Sequence, residues 1–343
     1  MGTSNKFLLF HQGALGDFIL ALPVFESLND KYPGAHFTLI ASPANGSLIS
    51  FRPYIRRVVP KDLALLAPLF LEVPTRMEKI ASVLGAPFDK AFLFGQSQLS
   101  IVARNVSALC RGKVYKVHSF PPNGQKVKVT EFLYGQLGKQ GLELSSSKAV
   151  IAPDPKRKQQ GVEFAQELLK RFDAIIAIHP GSGSPKKIWP LRYWKKVLEY
   201  LGKHVKAVKV ILSGPADEEV VSNLIGENCP DDFMVIRNWP LPALAGLLER
   251  SLLYLGNDSG LTHLATVLSI PTIAIFGSSD PDVWGPAGKH VRIIKTRWSY
   301  PDNLKLSEEH LMIEVPKDFI KVISYLQDFA KGMKICCSKS LHR

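Results

Sequence analysis

The sequence predicts an α/β fold made of two doubly wound parallel sheets. Short apolar runs typical of buried strands alternate with longer segments of helical period along most of the 343 residues. The alternation is interrupted by the proline- and lysine-rich segment 153–158 and then starts again. A chain of this length is expected to form two domains. We therefore predict Rossmann-like domains at residues 1–155 and 156–330, followed by a basic tail at 331–343 that lacks periodicity and is expected to be disordered.

The first half supplies the first set of predicted strands and helices. Apolar runs of strand length occupy residues 7–10, 37–41, 91–94 and 114–117. Helices with apolar residues at helical spacing are predicted from the turn at 13–17 to about residue 30, and at 74–84, 99–109 and 130–141. The longest apolar run, at 63–71, contains a proline. We expect a buried helix there, with a shallow membrane contact as the alternative.

The second half repeats the pattern. Strands are predicted at residues 174–178, 208–213, 233–236, 252–255, 272–276 and 291–294. Helices are predicted at 161–171, 191–204, 217–228, 242–249, 261–269 and 316–329, with segment 153–158 as a linker. Because ligands of doubly wound sheets bind at the carboxyl ends of strands, the polar turns after these strands are where we look for chemistry.

Composition excludes several classes of protein. Hydrophobic residues make up 46% of the chain and charged residues 21%, as in ordinary globular proteins. No apolar run approaches the roughly 18 residues that a membrane span needs, and the first residues lack the plan of a signal peptide. The cysteines show no zinc-ligand spacing: they are Cys110, Cys229, Cys336 and Cys337. We expect a cytoplasmic protein without structural zinc.

The net charge of +13 indicates an anionic partner. No acidic residue occurs between Asp89 and Glu131, and this basic window contains Lys90, Arg104, Arg111, Lys113, Lys116, Lys126 and Lys128. The window is either a solvated basic face or a contact with a phosphorylated substrate or a phospholipid surface. Nucleic acid is the weakest candidate, because the sequence contains no zinc finger or RNP motif.

The turn after the first strand has the sequence GALGD, at residues 13–17. It does not match the GxGxxG dinucleotide fingerprint, and the second strand ends in IASP (40–43) without an acidic residue for a ribose. A nicotinamide-dependent dehydrogenase is therefore disfavoured. The turn places Asp17 at a helix start, where it either caps the helix or acts as a general base.

Three polar loops of the second half are candidates for an anion site. They are HPGSGS (179–184) with KKIWP (186–190), SGPADE (213–218), and GNDSGLTH (256–263). Glycine, serine and helix-start N–H groups bind oxyanions, and a lysine adds a point charge. In the third loop Asp258 or Ser259 is the expected N-cap. The alternatives are a flexible loop, acids that only cap a helix, and a well-capped helix without a ligand.

One further motif has the letters of a metal signature. The run DPD (280–282) matches DxD, but it lies in a loop rich in glycine, serine and proline. Such a composition is typical of a turn. We therefore predict a turn and no metal site.

Together and in this order, these motifs resemble glycosyltransferase family 9, the heptosyltransferases of lipopolysaccharide core synthesis. The resemblance is carried by GALGD with LALP (20–23), HPGS with KIWP (187–190), GPADE (214–218), NDSGLTH (257–263) and FGSSDP (276–281). It implies a GT-B fold, in which two Rossmann-like domains face a central cleft. It also implies inverting, metal-independent transfer from ADP-L-glycero-D-manno-heptose. Two departures are His11, where the family often has lysine or arginine, and residues 43–130, which match no motif that we can name.

The resemblance implies roles for individual residues. Asp17 matches the family's proposed base for the acceptor hydroxyl, Lys187 matches the diphosphate lysine, and Glu218 would hold the nucleoside. The predicted donor-site residues are Gly181, Ser182, Lys187, Glu218, Asp258, Ser259, Gly260 and His263. The loop before KIWP has one extra residue relative to some members, so Lys186 competes with Lys187. For a phosphorylated, lipid-linked acceptor the predicted contacts are Arg111, Lys113 and Lys116.

We therefore predict a cytoplasmic glycosyltransferase, peripheral to the inner face of the cytoplasmic membrane of a Gram-negative bacterium. It would move a heptose-type sugar from an ADP-sugar to a Kdo/heptose–lipid A acceptor, with no cofactor, no metal and no nucleic acid partner. Two alternatives stay open: a transferase of the same fold with another nucleotide-sugar or acceptor, and a non-catalytic nucleotide-sugar binding protein. An intact Asp17 beside a complete set of donor loops disfavours the second.

Overall fold

The computed structural model describes residues 5–226, 230–300, 302–304 and 317–332. The chain divides into two compact units, Met1–Arg157 and Lys158–Arg343, which we call the N-unit and the C-unit. The sequence prediction sets its boundary two residues earlier, after residue 155. Most of the predicted tail, from 333 onward, lies outside the described residues.

The N-unit contains one parallel five-stranded sheet of order β3-β2-β1-β4-β5. Its strands are β1 (Lys6–His11), β2 (His36–Ala41), β3 (Ile55–Pro60), β4 (Lys90–Gly95) and β5 (Val114–His118). Its helices are α1 (Leu15–Lys31), α2 (Pro43–Ser47), α3 (Met77–Leu84), α4 (Leu99–Ser107) and α5 (Val129–Lys139). The chain leaves β1 toward β2 on one side and returns to β4 on the other. The topological switch point therefore lies at the carboxyl ends of β1 and β4.

Three features of the N-unit differ from the prediction: the short helix α2 and the strand β3 were not predicted, and the helix predicted at 63–71 has another form. The sequence did not predict strand β3, because β3 is an edge strand in which exposed Arg56 and Arg57 interrupt the apolar pattern. The predicted buried helix at 63–71 is a 3-10 helix, Ala64–Phe70, that contains Pro68. Within it Leu66 and Leu69 are buried, whereas the flanking residues Leu63 and Leu71 are exposed.

The C-unit contains a parallel six-stranded sheet of order β11-β10-β9-β6-β7-β8. Its strands are β6 (Ile175–His179), β7 (Val208–Ser213), β8 (Phe233–Arg237), β9 (Leu253–Asn257), β10 (Thr272–Phe276) and β11 (Val291–Lys295). Its helices are α6 (Pro155–Leu169), whose first three residues belong to the N-unit, and α7 (Leu191–His204), α8 (Glu218–Ile225), α9 (Leu241–Leu248), α10 (Gly260–Val267), α11 (Pro281–Trp284) and α12 (Lys317–Gly332). Single-turn 3-10 helices occupy Pro185–Lys187 and Asp302–Leu304.

The predicted linker at 153–158 is wrong, because α6 begins inside it at Pro155. Proline is favoured at the first position of a helix, where its missing N–H is not needed. The helix then packs closely on α9: a Cβ atom on Gly161 would come within 1.8 Å of the Ala243 carbonyl oxygen. Glycine at 161 therefore marks a helix–helix contact inside α6, and the predicted helix starts six residues too late.

The central strands place the loops that follow them next to one another. All residues of β6, β7, β9 and β10 are buried, as expected for strands covered on both faces. Strands β6 and β9 are neighbours, with His179 paired to Gly256. Since β6 leads to β7 and β9 leads to β10 on the other side, the switch point of the C-unit lies between β6 and β9. Among the helices that the structure describes, none is long and apolar enough to cross a membrane.

Candidate functional site

In the N-unit, the predicted base Asp17 lies at the switch point. It occupies the third position of α1, and its Oδ2 accepts a hydrogen bond from the Ala14 N–H at 3.1 Å. A side chain on Gly13 would collide with it, since a Cβ there would come within 2.8 Å of that Oδ2. Asp17 therefore does help to cap the helix, from the third position, and Ala14 is the N-cap.

Polar groups from neighbouring loops surround this turn. The Asn45 amide donates to the Gly13 carbonyl at 3.2 Å, and Lys61 Nζ donates to the Gln12 carbonyl at 2.6 Å. Sequence reasoning missed Asn45 and Lys61, because they follow β2 and the unpredicted β3. The signal that could have found Lys61 is its position directly after the apolar run VVP (58–60).

His11, the last residue of β1, is a neutral ring in this unit. It is 1% exposed and contacts the Phe18 and Phe25 rings edge to face. Burial, and then the charge of Lys61, lower the pKa of His11 to about 3. The positive charge that the family often carries at this position is therefore absent from His11.

In the C-unit, Lys187 and Asp258 form an ion pair just before α10. Lys187 Nζ lies 2.7 Å from Asp258 Oδ2, which also accepts a hydrogen bond from the Ser279 hydroxyl. The Lys187 amino group lies 5.7 Å from the centre of the Trp284 ring. Its side chain is 32% exposed, whereas that of Asp258 is 5% exposed. In the described residues it is Lys187, rather than Lys186, that makes this ion pair.

Buried hydrogen bonds tie the loop after β6 to the loop after β9. The Asn257 side chain, fully buried, accepts from the Trp189 N–H at 3.2 Å and donates to the Pro180 carbonyl at 2.6 Å. The Ser182 hydroxyl donates to the Asp258 carbonyl at 3.0 Å. The predicted donor residues Gly181 and Ser182 thus lie in a buried, hydrogen-bonded loop beside Asp258.

His179 connects three loops of the C-unit. Its Nε2 lies 3.0 Å from Asp217 Oδ2, and its Nδ1 lies 3.1 Å from the Ser259 hydroxyl. Asp217 also accepts the Gly214 N–H at 2.9 Å. Burial raises the pKa of Asp217, but the hydrogen bond and charge of His179 and the Gly214 N–H outweigh it, so the pKa is lowered. The sequence left helix capping open as one interpretation of the acids in this loop; the Asp217 carboxylate makes no side-chain cap bond and instead contacts His179.

The remaining predicted donor residues lie at the starts of two helices. Ser259 is the N-cap of α10, which begins at Gly260, and His263 lies in the first turn with 4% exposure. Burial lowers the pKa of His263 to about 4, with Asp258 raising it and Lys187 lowering it further. Glu218 is exposed at the start of α8, and its carboxylate accepts from the Asn238 amide at 3.0 Å.

Two residues that follow β11, Trp298 and Asn303, donate hydrogen bonds to the loop that contains Lys187, which we call the lysine loop. The Trp298 indole N–H donates to the Lys186 carbonyl at 3.0 Å. The Asn303 amide, 1% exposed as a residue, donates to the carbonyls of Pro185 at 2.9 Å and Ile188 at 2.7 Å. These contacts flank Lys187 on both sides along the chain. Sequence reasoning missed both residues, because nothing in the local pattern of 296–303 shows which loop they bind.

The structure does not bring the predicted acceptor contacts together with Asp17. Arg111 and Lys113 directly precede β5, at the amino ends of the strands, whereas Asp17 follows a carboxyl end. Lys116 lies within β5 and its Nζ is 3.5 Å from the Ser100 hydroxyl. Lys128 is closer to the Asp17 edge, since it caps α5, whose Thr130 donates to the Leu20 carbonyl of α1 at 2.9 Å.

The DPD run, predicted as a turn, begins the one-turn helix α11. Asp280 is the N-cap of α11, where its Oδ1 accepts the Asp282 N–H at 3.2 Å and pairs with Lys295 Nζ at 3.0 Å. Across the part of the chain that the structure describes, no three His, Cys, Asp or Glu side chains are grouped so as to hold a metal ion.

Comparison with known proteins gives the following. The family model described as glycosyltransferase family 9 (heptosyltransferase) matches residues 105–312. Lipopolysaccharide heptosyltransferase 1 of Escherichia coli K12 is 21% identical over 307 residues, which cover 84% of this chain and 93% of that protein.

Solved structures are similar over almost the whole length. A glycosyl transferase family 9 protein from Veillonella parvula gives a TM-score of 0.74 at 19% identity, covering 97% of this chain and 99% of that one. Escherichia coli heptosyltransferase WaaC, solved with ADP, gives 0.65 at 17% identity, covering 95% and 100%. With the two parallel sheets, these likenesses confirm the predicted GT-B fold class.

Proposed function

Because the chain belongs to glycosyltransferase family 9, we propose that it transfers a heptose-type sugar from an ADP-sugar to a lipopolysaccharide core acceptor, with inversion and without a metal. Its class, a glycosyltransferase similar to heptosyltransferases, follows from the family. The observation that carries the finer proposal is the Lys187–Asp258 ion pair directly before α10. ADP is chosen because WaaC was solved with ADP, and the acceptor because the sequence relatives are lipopolysaccharide heptosyltransferases.

The donor diphosphate is assigned to the C-unit. The first N–H groups of a helix lack partners within the helix, and the helix dipole makes this end positive. At the start of α10 these groups lie next to the lysine of an ion pair, in loops held by buried hydrogen bonds. Such preset donors stabilise the charge that gathers on a departing diphosphate, because they need no reorganisation during the reaction. Lys187 and the N–H groups around Gly260 would carry this role.

The acceptor hydroxyl is assigned to Asp17 in the N-unit. The hydrogen bond from Ala14 orients the carboxylate, and the absence of a side chain at Gly13 leaves room for it. In the proposed mechanism Asp17 takes the proton of the acceptor hydroxyl while that oxygen attacks the anomeric carbon opposite the leaving ADP. Inversion follows from a single displacement of this kind.

Metal independence is part of the proposal. Mg²⁺ or Mn²⁺ serves many transferases by neutralising a diphosphate, and a lysine with helix-start N–H groups can supply the same stabilisation. We expect full transfer activity in excess EDTA, measured with and without added Mg²⁺ or Mn²⁺. Activity that disappears in EDTA and returns with the metal would contradict this part of the proposal and leave the sugar and acceptor assignments standing.

The basic window is assigned to a membrane-borne, phosphorylated acceptor, with the protein peripheral to the cytoplasmic face of the membrane. Since Arg111 and Lys113 lie at the amino ends of the strands, we assign them to the anionic lipid surface and leave the reacting hydroxyl to the Asp17 edge. Each basic residue near such a surface contributes roughly 1 kcal/mol.

One observation favours a second candidate, a transferase of the same fold with another acceptor. The family often has a cation where this chain has the neutral, buried His11, and an uncharged ring at this place suits a less phosphorylated acceptor. The deciding experiment has two stages. Thermal-shift measurements with ADP, UDP, GDP and CDP test the nucleotide, and ADP alone is expected to stabilise the protein. Transfer from ADP-heptose to heptose-deficient lipopolysaccharide then tests the acceptor; binding of ADP without transfer to it would favour the second candidate.

A further inference from the structure

A cavity of about 330 Å³ lies in the C-unit between the start of α7 and the segment that follows β11. Aromatic and basic residues dominate its lining: Trp189, Tyr193, Trp298, Arg192 and Arg297. None of the residues that line it is among those assigned above to the donor diphosphate. The cavity is therefore a second place in the C-unit at which a ligand could bind.

Two guanidinium groups set the charge of this cavity. Arg192 lies in the first turn of α7, with its guanidinium 4.8 Å from the centre of the Tyr193 ring. Arg297 lies two residues after β11 and is exposed. Neither forms an ion pair with a carboxylate of the residues that the structure describes, although Asp302 also lines the cavity. Two positive charges beside one negative charge favour an anion, and the planar fork of arginine fits a phosphate in particular.

The other walls and the size of the cavity favour a sugar ring beside the phosphate. Trp298 is held in the wall by a close approach, since a Cβ atom on Gly277 would come within 2.2 Å of the indole ring. Aromatic side chains pack on the apolar C–H face of a sugar, while Ser299 and Asp302 offer a hydroxyl and a carboxylate to its hydroxyl groups. Ligand cavities range from roughly 300 to 1,000 Å³. This one is near the lower limit, which suits a monosaccharide phosphate better than a nucleotide-sugar.

The cavity is connected to the lysine loop by hydrogen bonds. The Trp298 indole N–H donates to the Lys186 carbonyl at 3.0 Å, and the Asn303 amide donates to two further carbonyls of the loop, at 2.9 and 2.7 Å. Both residues also line the cavity. A ligand that orders Trp298 and Asn303 should therefore hold the backbone on either side of Lys187 more firmly.

We propose that this cavity binds a phosphorylated monosaccharide, with the phosphate on Arg192 and Arg297 and the sugar ring against Trp298, and that its occupation strengthens ADP binding through the lysine loop. The binding site goes beyond the proposed function. Its coupling to ADP rests on that function. Binding changes no covalent bond.

Calorimetric titration of the wild-type protein with glucose 6-phosphate, inorganic phosphate and glucose tests the site. Glucose 6-phosphate is expected to bind once per chain. It should bind at least about tenfold more tightly than either of the other probes, because each of them lacks one set of contacts and a hydrogen bond to a charged group alone is worth about tenfold or more. No binding of glucose 6-phosphate, or binding no tighter than that of inorganic phosphate, would overturn the inference.

Variants locate the binding. Arg192→Gln and Arg297→Gln should each weaken glucose 6-phosphate binding by about tenfold or more. Arg250→Gln, which alters an exposed arginine of the C-unit outside the cavity, is the matched control and should bind like the wild type. Thermal melting checks that the variants are folded, and Arg297→Gln is the safest of them because its side chain is exposed. Binding that is unaffected by both cavity substitutions but lost in Lys187→Ala would place the probe at the diphosphate site and overturn the inference.

The coupling is measured by titrating ADP with and without saturating glucose 6-phosphate. ADP affinity should rise by about fivefold or more, and the affinity for glucose 6-phosphate should rise by the same factor in ADP-saturated protein. Trp298→Phe keeps an aromatic ring in the wall but removes the N–H that donates to Lys186. It should keep most of the glucose 6-phosphate binding and lose most of the coupling. Competition between the two ligands would overturn the inference, whereas no ADP binding under any condition would overturn the proposed function.

Transfer assays distinguish two sources of the phosphorylated sugar. If it is part of the acceptor, glucose 6-phosphate should compete with a detergent-solubilised acceptor, and Arg297→Gln should raise the KM for that acceptor. If it is a free small molecule, glucose 6-phosphate should lower the KM for the ADP-sugar without competing with the acceptor. If glucose 6-phosphate and Arg297→Gln leave both KM values unchanged, the cavity has no part in the reaction and the coupling is overturned.

Discussion

Both units contain a parallel sheet covered by helices, but they differ in the hydrogen bonds that hold the loops at their switch points. In the C-unit, buried side chains cross-link the loops: Asn257 joins the loops after β6 and β9, and His179 joins those after β6, β7 and β9. In the N-unit, the turn at Asp17 is held by single, partly buried hydrogen bonds from Asn45 and Lys61 to backbone carbonyls, and neither side chain joins two further loops through hydrogen bonds within the part of the chain that the structure describes.

The difference suits the two tasks that we assign to the units. A diphosphate is small and identical in every turnover, so a preset cradle stabilises its charge without reorganisation. An acceptor is larger. The turn at Asp17, which would receive it, has to orient one carboxylate and does not need rigid contacts on all sides. Substitutions in the C-unit should therefore affect ADP binding, and those in the N-unit should affect the rate alone.

The largest effect is expected from Asp17→Asn. If Asp17 is the base, transfer should fall by about 100- to 10,000-fold, whereas ADP affinity measured by calorimetry should stay within about twofold, because no diphosphate contact is assigned to the N-unit. An asparagine can still accept the Ala14 N–H, so the helix cap is preserved. Asp62→Asn, an exposed acid of the same unit, is the control and should be silent. If Asp17→Asn keeps the wild-type turnover, Asp17 only caps the helix and is not the base.

Lys187→Ala should come next, and it should act on binding as well as on rate. Loss of one preset cationic donor is expected to slow transfer by about 100-fold and to weaken ADP binding. Lys186→Ala is the matched control, since its amino group makes no ion pair with Asp258 among the described residues. A titration in which Lys186→Ala weakens ADP binding more than Lys187→Ala would assign the phosphate role to Lys186.

Charge reversal in the basic window tests the membrane assignment separately. Replacing Arg111, Lys113 and Lys116 by glutamate should cost roughly 1 kcal/mol per residue in binding to anionic vesicles, and the wild-type binding should weaken with salt, which screens charges over about 8–10 Å. ADP binding should not change. Reversal of Lys128, nearer the Asp17 edge, should instead reduce use of a detergent-solubilised acceptor. If vesicle binding is unchanged in the triple variant, Arg111, Lys113 and Lys116 belong to a solvated face and do not contact the membrane.

The sequence predicted the C-unit better than the N-unit for a physical reason. The fully buried strands β7 and β10 are mostly apolar, with Lys209 and Ser213 as the polar residues of β7 and Thr272 as that of β10, and the predicted bounds of both agree with the structure. Strand β3 was missed because an edge strand needs apolar residues on fewer positions, and Arg56 and Arg57 hide it. The start of α6 was missed because proline and lysine suggest a linker, whereas the packing of Gly161 on α9 depends on a residue about eighty positions away.

The residues of the candidate site were predicted where a local motif contains them. Asp17, Lys187 and Ser259 lie in glycine-rich or capped turns whose spacing is visible in the sequence. The partnership of Asp217 with His179 was not visible, because it depends on the order of β6 and β7 in the sheet. The same holds for Asn303, which binds a loop more than a hundred residues earlier.

Asn303→Ala should give the smallest effect. It tests whether the buried hydrogen bonds that hold the loop around Lys187 contribute to ADP binding. The variant removes two hydrogen bonds that hold the carbonyls on either side of Lys187. A single hydrogen bond makes a net contribution of about 0.5–1.5 kcal/mol; if the loss of both bonds costs ADP binding about as much as one of them, because the rest of the loss falls on folding, ADP affinity should fall by about 3- to 10-fold. Ser299→Ala, an exposed residue of the same segment, is the control. If Asn303 acts by positioning Lys187, its substitution should cost little further affinity in a Lys187→Ala background, so that the double-mutant cycle shows strong coupling. Additive losses would mean that Asn303 supports the fold of the unit in general, and that the lysine loop keeps its place without this contact.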